Sequence, residues 1–271
     1  MTTIKSLSDL KGRKALITGG AGNLGKVFAD TLAELGANLV LVDLPGTNLE
    51  NLSDALMKKW EVCVEFLYCD LESPQERAKL ISSINLSKDP LSIIVNNAAF
   101  VGSSKLDGWN VAFEEQTLET WRRAMEVNLT AVFDLCKGLM PSLRSSSGAS
   151  IINIGSIYGL YGPDWSLYTG TGMSNPAAYA ASKGGLIQLS RWLATTLSPD
   201  VRVNVISPGG IFRNQDPKFV ERYESKTPLQ RMAVEDDFRG AIAFLASDLS
   251  NFVTGQAVSY THLTLPTIYS V

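Results

Sequence analysis

Tyr179 and Lys183 are the two residues whose types and spacing most clearly suggest chemistry. They stand four positions apart in a stretch that predicts a helix to about residue 197, and residues at i and i+4 share one helix face. A phenol with a pKa of about 10 is a poor proton shuttle at neutral pH, whereas a nearby ammonium group lowers that pKa. The pair therefore predicts a tyrosine general acid/base. Taken alone, the spacing is also common among surface or half-buried side chains.

A glycine-rich turn near the N-terminus predicts a dinucleotide site. A predicted strand over 14–18 precedes Gly19-Gly20-Ala21-Gly22-Asn23-Leu24-Gly25, and a predicted helix over 26–35 and strand over 38–43 follow, ending at Asp43. Glycines let the backbone approach a pyrophosphate, and the helix N-terminus faces its charge. Asp43 can accept hydrogen bonds from ribose hydroxyls and repels a 2′-phosphate, which favours NAD over NADP. Lys26 argues mildly for NADP, and Asp43 could instead be a strand-end residue facing solvent.

The elements that must position these residues alternate along the chain. Further strands are predicted over 62–68, 91–95, 149–154 and 201–206, and further helices over 49–60, 74–84, 117–143 and 236–246. This alternation predicts an α/β fold with a parallel, doubly wound sheet. The residues at the predicted strand ends are Asp43, Asp70, Asn96, Ser156 and Pro208. Ligands of such sheets bind outside the carboxyl ends of the strands, so we expect these residues to gather along one edge.

An ordered set of short motifs gives a specific resemblance. The set comprises Thr18-Gly19 with its glycine turn, Asp70-Leu71, Asn96-Asn97-Ala98-Ala99, Asn128, Ser156, Tyr179 with Lys183, and Pro208-Gly209. In this order they resemble the classical branch of the short-chain dehydrogenase/reductase family over about residues 8–258. The resemblance implies a Rossmann-type sheet of about seven strands with helices on both faces and a nicotinamide cofactor. It also implies a homodimer or homotetramer formed through the two long helices.

The same resemblance implies a catalytic tetrad of Asn128, Ser156, Tyr179 and Lys183. By that resemblance Tyr179 exchanges a proton with the substrate oxygen, and Ser156 hydrogen-bonds that oxygen. Lys183 holds the nicotinamide ribose and lowers the tyrosine pKa, and Asn128 holds a water that links Lys183 to solvent. Carbonyl reduction develops negative charge on oxygen, so Ser156 and Tyr179 suit it as donors. Asn128 could instead be an ordinary polar residue within a helix.

The residues expected to bind the cofactor lie in the glycine turn, at strand ends and in the catalytic pair. They are Thr18, Gly19, Gly22, Asn23, Leu24, Gly25, Asp43, Asp70, Leu71, Asn97, Ala98, Ala99, Tyr179, Lys183, Pro208, Gly209 and Ile211. Asp70 is expected beside the adenine. Asn96 could also line the cofactor or simply cap a strand end.

Two positions depart from the family pattern. Asn23 stands where the second glycine of the turn belongs, and the spacing through Gly22 instead resembles the extended branch of the family. Asn tolerates left-handed backbone angles better than most residues, so we expect the turn to survive. Phe212 and Arg213 follow Ile211 where a threonine often contacts the nicotinamide amide. Arg213 could face an anionic substrate group or solvent.

An aromatic, glycine-rich insert over 157–178 is longer than the family pattern requires. We expect a single domain over 1–258, in which loops 156–178 and 209–232 approach the substrate. Aromatic faces together with Asp, Ser and Thr suit a sugar or polyol, although the insert could instead pack in a subunit contact. The start of the insert also resembles short-chain oxidoreductases of bacterial flagellin and surface-sugar modification.

Composition excludes several other classes of protein. The net charge of −3 comes from 24 basic and 27 acidic residues without a basic stripe, which argues against nucleic-acid or membrane partners. The N-terminus lacks the form of a signal peptide, so we expect a cytoplasmic protein. Cys63, Cys69 and Cys136 lack C-x-x-C spacing and are expected to be buried apolar residues, with no metal site. Residues 259–271 are atypical for the family and read as a non-native tail, so its His262 is expected to have no function.

These features together predict an NAD(H)-dependent oxidoreductase, of class EC 1.1.1.-, that interconverts a secondary alcohol and a ketone on a sugar- or polyol-like small molecule. A non-catalytic NAD(H)-binding sensor or scaffold is the alternative from another class of protein. A sugar-nucleotide epimerase or dehydratase is a third hypothesis, and the Gly22 spacing alone suggests it.

Overall fold

The computed structural model describes residues 2–101 and 106–260, so His262 and most of the segment 259–271 lie outside the described residues. Its centre is a parallel seven-stranded sheet in the order β3-β2-β1-β4-β5-β6-β7. The strands are β1 Lys14–Thr18, β2 Asn38–Asp43, β3 Val64–Tyr68, β4 Ile93–Asn96, β5 Ala149–Ile154, β6 Val201–Ser207 and β7 Ala257–Ser259. The chain leaves β1 in one direction and returns at β4 to fill the other half, which confirms the doubly wound, Rossmann-type sheet.

Helices cover both faces of the sheet. They are α1 Ile4–Ser8, α2 Asn23–Glu34, α3 Leu49–Trp60, α4 Pro74–Asn85, α5 Leu118–Met125, α6 Ala131–Gly138, α7 Met140–Arg144, α8 Ala177–Leu197, α9 Pro217–Lys226 and α10 Arg239–Ala246. One apolar core joins the sheet to α4, α6 and α8, and a second joins it to α2, α3 and α10. Because apolar groups are buried on both sides, the inner strands β1, β4 and β5 are fully buried runs rather than alternating ones.

The long helix predicted over 117–143 is confirmed in part. Helix α5 continues through a π-helical turn at Glu126–Thr130 into α6, and the helical backbone is interrupted at Leu139 before α7. Pro141 lies in the first turn of α7, where its missing amide donor is tolerated. The π-helical turn carries Asn128, and such turns are often found at functional sites.

The insert over 157–178 packs against α9 of its own chain. An apolar cluster joins Leu167 and Tyr168 of the insert to Phe219 and Tyr223 of α9 and to Met232. The Nη1 of Arg222 donates to the carbonyl oxygens of Ser166, Leu167 and Thr169, at 3.3, 3.4 and 2.5 Å. The insert and α9 therefore form one packed unit beside the carboxyl edge of the sheet.

Among the described residues, no helix combines the length and the apolar character that a membrane span requires.

Candidate active site

A cleft of about 730 Å³ opens at the carboxyl edge of the sheet. The predicted residues that line it are Gly19, Gly22, Asn23, Leu24, Asp43, Asp70, Leu71, Asn97, Ala98, Ala99, Ser156, Tyr179, Lys183, Pro208, Gly209 and Ile211. Thr18, Gly25, Asn96 and Asn128 are buried behind its wall. The residues predicted at the strand ends thus lie along the carboxyl edge of the sheet, and Asn96 is buried beneath the cleft surface.

The glycine turn between β1 and α2 is tight. Gly19 has a left-handed backbone with φ +65°, and a Cβ there would lie 2.9 Å from the Cα of Ala98. A Cβ on Gly25 would lie 2.0 Å from the carbonyl oxygen of Gly19. These two glycines therefore allow the helix to begin directly beside the strand end.

Asn23 does not need the left-handed backbone that the sequence argument invoked, because α2 begins at this residue. Gly22 is the N-cap and makes no side-chain capping bond, and the first turn of α2 carries no acidic residue. The amides of that turn face the cleft beside Gly22, Asn23 and Leu24. Unpaired amides at a helix N-terminus suit an anionic group such as a pyrophosphate.

Thr18 fixes the end of β4 to the end of β1. Its Oγ1 accepts hydrogen bonds from the amides of Asn97 and Ala98, both at 3.1 Å. The Nδ2 of Asn97 donates to the carbonyl oxygens of Thr18 and Gly19, at 3.0 and 2.9 Å. Thr18 and Asn97 thus shape the cleft wall, which Ala98 and Ala99 line beside them.

The end of the cleft beside β2 is acidic. Asp43 accepts from the amide of Ala21 on Oδ2 and from the amide of Leu44 on Oδ1, each at 2.8 Å, and Asp70 lies nearby in the lining. Lys26 is exposed and lies outside the lining. A group bound here therefore meets carboxylates rather than the ammonium that argued for NADP.

Sequence reasoning missed an ion pair at this same end of the cleft. Arg123 donates from Nε and Nη2 to the carboxylate of Glu72, at 2.9 to 3.2 Å, and both residues line the cleft. Glu72 follows the strand-end motif at Asp70, but Arg123 comes from α5, fifty-one residues away. No local pattern signals such a pair.

Helix α8 carries Tyr179 and Lys183 on its cleft-facing side, as the spacing predicts. The Nζ of Lys183 lies 5.8 Å from the centre of the Tyr179 ring and donates to the carbonyl oxygen of Ile154 at 2.7 Å. Lys183 is 3% exposed, and desolvation lowers the pKa of its ammonium to about 8.

The expected direction of the Tyr179 pKa is wrong. Burial raises the pKa of the phenol, while a hydrogen bond with Ser156 and the charge of Arg213 act against that rise. Desolvation of the phenolate raises the pKa by more than Ser156 and Arg213 lower it. Arg213, rather than Lys183, is the cation that opposes it.

Ser156 follows β5 and lies at the floor of the cleft. Its Oγ accepts from the amide of Tyr158 at 3.2 Å and is 5% exposed as a residue. Tyr179 lines the same cleft, so both residues bring a hydroxyl group to it. Two hydroxyl groups so placed can hold and protonate a single oxygen atom of a ligand.

Asn128 uses its side chain to fasten the loop after β4. Its Oδ1 accepts from the amide of Phe100 at 2.6 Å, and its Nδ2 donates to the carbonyl oxygen of Phe100 and to Oγ of Ser182, at 3.2 and 3.0 Å. These bonds fix the cleft wall to α8.

The cysteines are only partly as expected. Cys69 and Cys136 are buried, but Cys63 is exposed at the amino end of β3. Cys69 lines the cleft, and burial with the charges of Glu76 and Asp70 raises the pKa of its thiol to about 11. It is therefore no nucleophile at neutral pH. In the described ranges, no group of His, Cys, Asp and Glu could hold a metal ion.

Comparison with known proteins gives a consistent result. A family model described as enoyl-(acyl carrier protein) reductase matches residues 19–261. A probable galactose dehydrogenase of Rhizobium meliloti is 30% identical over 257 residues, covering 92% of this chain and 94% of the relative.

Two solved structures share the fold along nearly their whole length. NAD+-bound xylitol dehydrogenase has a TM-score of 0.81 and 26% identity, and the match covers 93% of this chain and 99% of that one. A putative NAD(P)-dependent gluconate 5-dehydrogenase from Beutenbergia cavernae, with bound NADP, has a TM-score of 0.82 and 25% identity, with 93% and 96% covered. One neighbour thus contains NAD+ and the other NADP.

Proposed function

The chain belongs to the short-chain dehydrogenase/reductase family, a family of nicotinamide-dependent oxidoreductases, and we propose that it interconverts a secondary alcohol and a ketone with NAD(H). The observation that carries this proposal is the placement of Tyr179 and Ser156 together in the lining of the cleft, beside Lys183. Two hydroxyls that meet one ligand oxygen suit the interconversion of a carbonyl and an alcohol.

The chain's own residues supply the proton chemistry. When bound, the nicotinamide gives or accepts the hydride. In reduction, Tyr179 donates its proton to the carbonyl oxygen while Ser156 donates a hydrogen bond to the same oxygen. In oxidation, Tyr179 takes the proton of the alcohol. Because the pKa of Tyr179 is raised, the phenol is protonated at neutral pH and ready for reduction, whereas oxidation gains from rising pH.

Lys183 and the glycine turn hold the cofactor in this proposal. The ammonium of Lys183 faces the cleft and would bind the nicotinamide ribose, and the amides at Asn23 and Leu24 would bind the pyrophosphate. Asn128 acts behind them as a positioning residue through Phe100. Asp70 would lie beside the adenine.

The acidic end of the cleft supports NAD(H) over NADP(H). The carboxylate of Asp43 would accept hydrogen bonds from the ribose hydroxyls and would repel a 2′-phosphate. Of the described cations that line the cleft, Arg123 is the one beside Glu72, and that carboxylate already neutralises it. The described cation at this end is therefore paired with a carboxylate, which weakens its attraction for a phosphate.

The substrate class proposed is a sugar- or polyol-like alcohol. The amide of Tyr158 in the insert donates to the hydroxyl of Ser156. The hydroxyl of Tyr158 in turn lies 2.5 Å from the hydroxyl of Tyr168. Relatives named for galactose, xylitol and gluconate act on molecules of this kind. Within the described residues the insert lies behind Ser156 and packs on α9, so the sugar or polyol class rests on these relatives rather than on an aromatic lining of the cleft.

A homodimer or homotetramer is part of the same proposal. Trp121 of α5, Phe133 of α6 and Trp192 of α8 expose 39, 44 and 56% of their surface. Exposed large apolar side chains on neighbouring helices are typical of interfaces between subunits.

The test of the proposal combines cofactor binding with turnover. Fluorescence titration with NADH and NADPH measures cofactor preference, and Tyr179→Phe is then compared with the parent protein on a panel of sugars and polyols. We expect tighter binding of NADH, and a Tyr179→Phe variant that binds NADH normally and loses turnover by roughly 10²- to 10⁴-fold. A chain that binds NADH without turning over any alcohol or ketone would instead favour the sensor hypothesis.

A further inference from the structure

Among the described residues, three cations line the cleft, and only Arg213 keeps both terminal nitrogens of a guanidinium without a hydrogen-bond partner. Lys183 donates to Ile154, and Arg123 is bound through two nitrogens to Glu72. Arg213 differs, because its Nε donates to Oε1 of Glu235 at 3.0 Å while its Nη1 and Nη2 find no partner within residues 2–101 and 106–260. The guanidinium therefore offers one open pair of donors to the cleft.

The loop after β6 holds Arg213 in place. Ile211 pairs with Ala233, and the amide of Arg213 donates to Oε1 of Gln215 at 2.7 Å. The Nε2 of Gln215 returns a bond of 2.6 Å to the carbonyl oxygen of Ile211. With its backbone fixed by Gln215 and its Nε fixed by Glu235, the guanidinium is pre-oriented rather than free to sweep through solvent.

The position of Arg213 is on the reacting side of the cleft. Arg213 and Gln215 line it together with Ser156 and Tyr179, and the charge of Arg213 acts on the Tyr179 phenol. The acidic end at Asp43 belongs instead to β2, on the other side of β1 and β4 in the sheet order. A ligand oxygen held by Ser156 and Tyr179 thus has this guanidinium as a neighbouring cation, in addition to the ammonium of Lys183.

The charges around Arg213 select the kind of anion that it can bind. The open Nη pair is a planar fork that matches two oxygens of one group. Glu235 already neutralises part of the guanidinium charge and would repel an anion with two charges. A carboxylate, with two oxygens and one charge, satisfies both conditions, and a phosphate monoester satisfies only the first.

We propose that Arg213 binds a carboxylate of the substrate, so that the preferred substrates are hydroxy acids of the sugar-acid type rather than neutral polyols. This inference rests on the proposed alcohol–ketone oxidoreductase activity and narrows its substrate class. The carboxylate would be held by the Nη pair while Ser156 and Tyr179 hold the reacting oxygen of the same molecule.

The experiment uses matched pairs of an aldonate and the alditol of the same configuration, which differ only in whether the terminal carbon is a carboxylate. NAD+-dependent oxidation is measured for the parent chain, for Arg213→Met and for Arg191→Met. The last variant is the control, because Arg191 is an exposed residue of α8 outside the cleft lining. We expect the parent to prefer aldonates, and Arg213→Met to reduce the aldonate-to-alditol ratio of kcat/KM by roughly 10- to 100-fold. Arg191→Met should leave that ratio unchanged.

A second variant tests the charge argument. Glu235→Gln keeps an acceptor for the Nε of Arg213 but removes the negative charge, so the KM for aldonates should fall and phosphorylated alditols should become substrates. NADH titration of all three variants separates a role in cofactor binding from one in substrate binding.

Four outcomes would overturn the inference. A parent chain that oxidises alditols as well as aldonates refutes it and leaves the proposed function intact. If Arg213→Met loses kcat/KM equally for the aldonate and the alditol of each pair, then Arg213 acts on Tyr179 and not on the substrate carboxylate. Weaker NADH binding by that variant would assign the guanidinium to the cofactor. Turnover of neither class by a parent chain that binds NADH would refute the inference and the proposed function together.

Discussion

The ammonium nitrogen of Lys183 lies 5.8 Å from the centre of the Tyr179 ring, and it donates its hydrogen bond to the carbonyl oxygen of Ile154. The pair therefore shares a helix face, as i and i+4 residues must, but the ammonium is held by the backbone of β5. Lys183 is 3% exposed, and burial lowers its pKa in the folded chain to about 8 from the ordinary 10.5. A charge kept in this position costs folding free energy.

The first prediction concerns this cost. Between pH 8 and 10.5 the unfolded chain holds the Lys183 proton and the folded chain has lost it, so wild-type stability rises with pH in that window. Lys183→Met removes the titration. We expect Lys183→Met to have a larger free energy of unfolding than the wild type at pH 7. This excess in the free energy of unfolding should shrink by roughly 3 kcal/mol between pH 7 and pH 10.

Urea unfolding of both proteins at a series of pH values measures the excess. Lys26→Met is the control, because that ammonium is exposed to solvent and its removal should give a difference that does not change with pH. A Lys183→Met excess that stays constant or grows toward pH 10 would contradict the buried charge. We also expect Lys183→Met to bind NADH more weakly than the wild type, because the ammonium that would hold the nicotinamide ribose is removed.

The second prediction concerns the acidic end of the cleft. Asp43→Asn keeps an acceptor for the amide of Ala21 or Leu44 but removes the negative charge. We expect NADH to bind roughly tenfold more weakly and NADPH to bind more tightly, since an amide is a weaker acceptor for ribose hydroxyls and does not repel a phosphate. Fluorescence titration of both cofactors gives the two dissociation constants.

Lys26→Met provides the opposing test of cofactor choice. Its side chain is exposed outside the cleft lining, so its removal should change neither dissociation constant. Weaker NADPH binding by Lys26→Met, with Asp43→Asn unchanged, would transfer the choice of cofactor to Lys26.

Local sequence patterns predicted the sheet well because they carry local physics. The bounds of β2, α3 and β5 agree with the structure residue for residue, since each is a short apolar run or a periodic stretch that ends at a polar or glycine residue. The glycine turn and the i, i+4 pair are local too. The π-helical turn at Glu126–Thr130 and the interruption at Leu139 lie inside an unbroken helical pattern, where packing decides the outcome.

The electrostatics of the site could not be predicted in this way. The rise in the Tyr179 pKa comes from burial, which depends on elements far apart in the chain. The Glu72–Arg123 and Arg213–Glu235 pairs likewise join residues 51 and 22 positions apart. The motifs thus identified which groups line the cleft, but only the fold showed which of those groups retain free charge.

The third prediction concerns Asn128, which makes three side-chain hydrogen bonds while 1% exposed. Asn128→Ala leaves the amide of Phe100 without its acceptor in a buried position. We expect the free energy of unfolding to fall by roughly 2–4 kcal/mol. Ser182→Ala removes only one of the three bonds and should cost about 1 kcal/mol.

Urea unfolding of both variants, read beside their turnover, separates the roles of Asn128. A positioning role requires the loss of stability and the loss of turnover to occur together, because both follow from release of the Phe100 loop. Loss of turnover at unchanged stability would instead indicate a direct part in the proton path beside Lys183.

The fourth prediction concerns the unit formed by the insert and α9. Arg222 holds three carbonyl oxygens of the insert, at Ser166, Leu167 and Thr169, whereas the Asp164–Lys226 ion pair is partly exposed and adds little. Arg222→Met should loosen the segment around Ser166 and Thr169 while α9 and the sheet stay folded. We expect faster limited proteolysis within residues 160–173 and a substrate KM that rises severalfold, with NADH binding unchanged.

Arg191→Met, at an exposed residue of α8, is the control for both the proteolysis and the KM measurement of Arg222→Met. If the insert is no more susceptible to protease in Arg222→Met, then the packing of Tyr168 on Phe219 alone holds it. If susceptibility depends on protein concentration in the parent chain, the insert is protected by a second copy of the chain. That result would support the subunit-contact alternative, because a contact within one chain protects equally at every concentration.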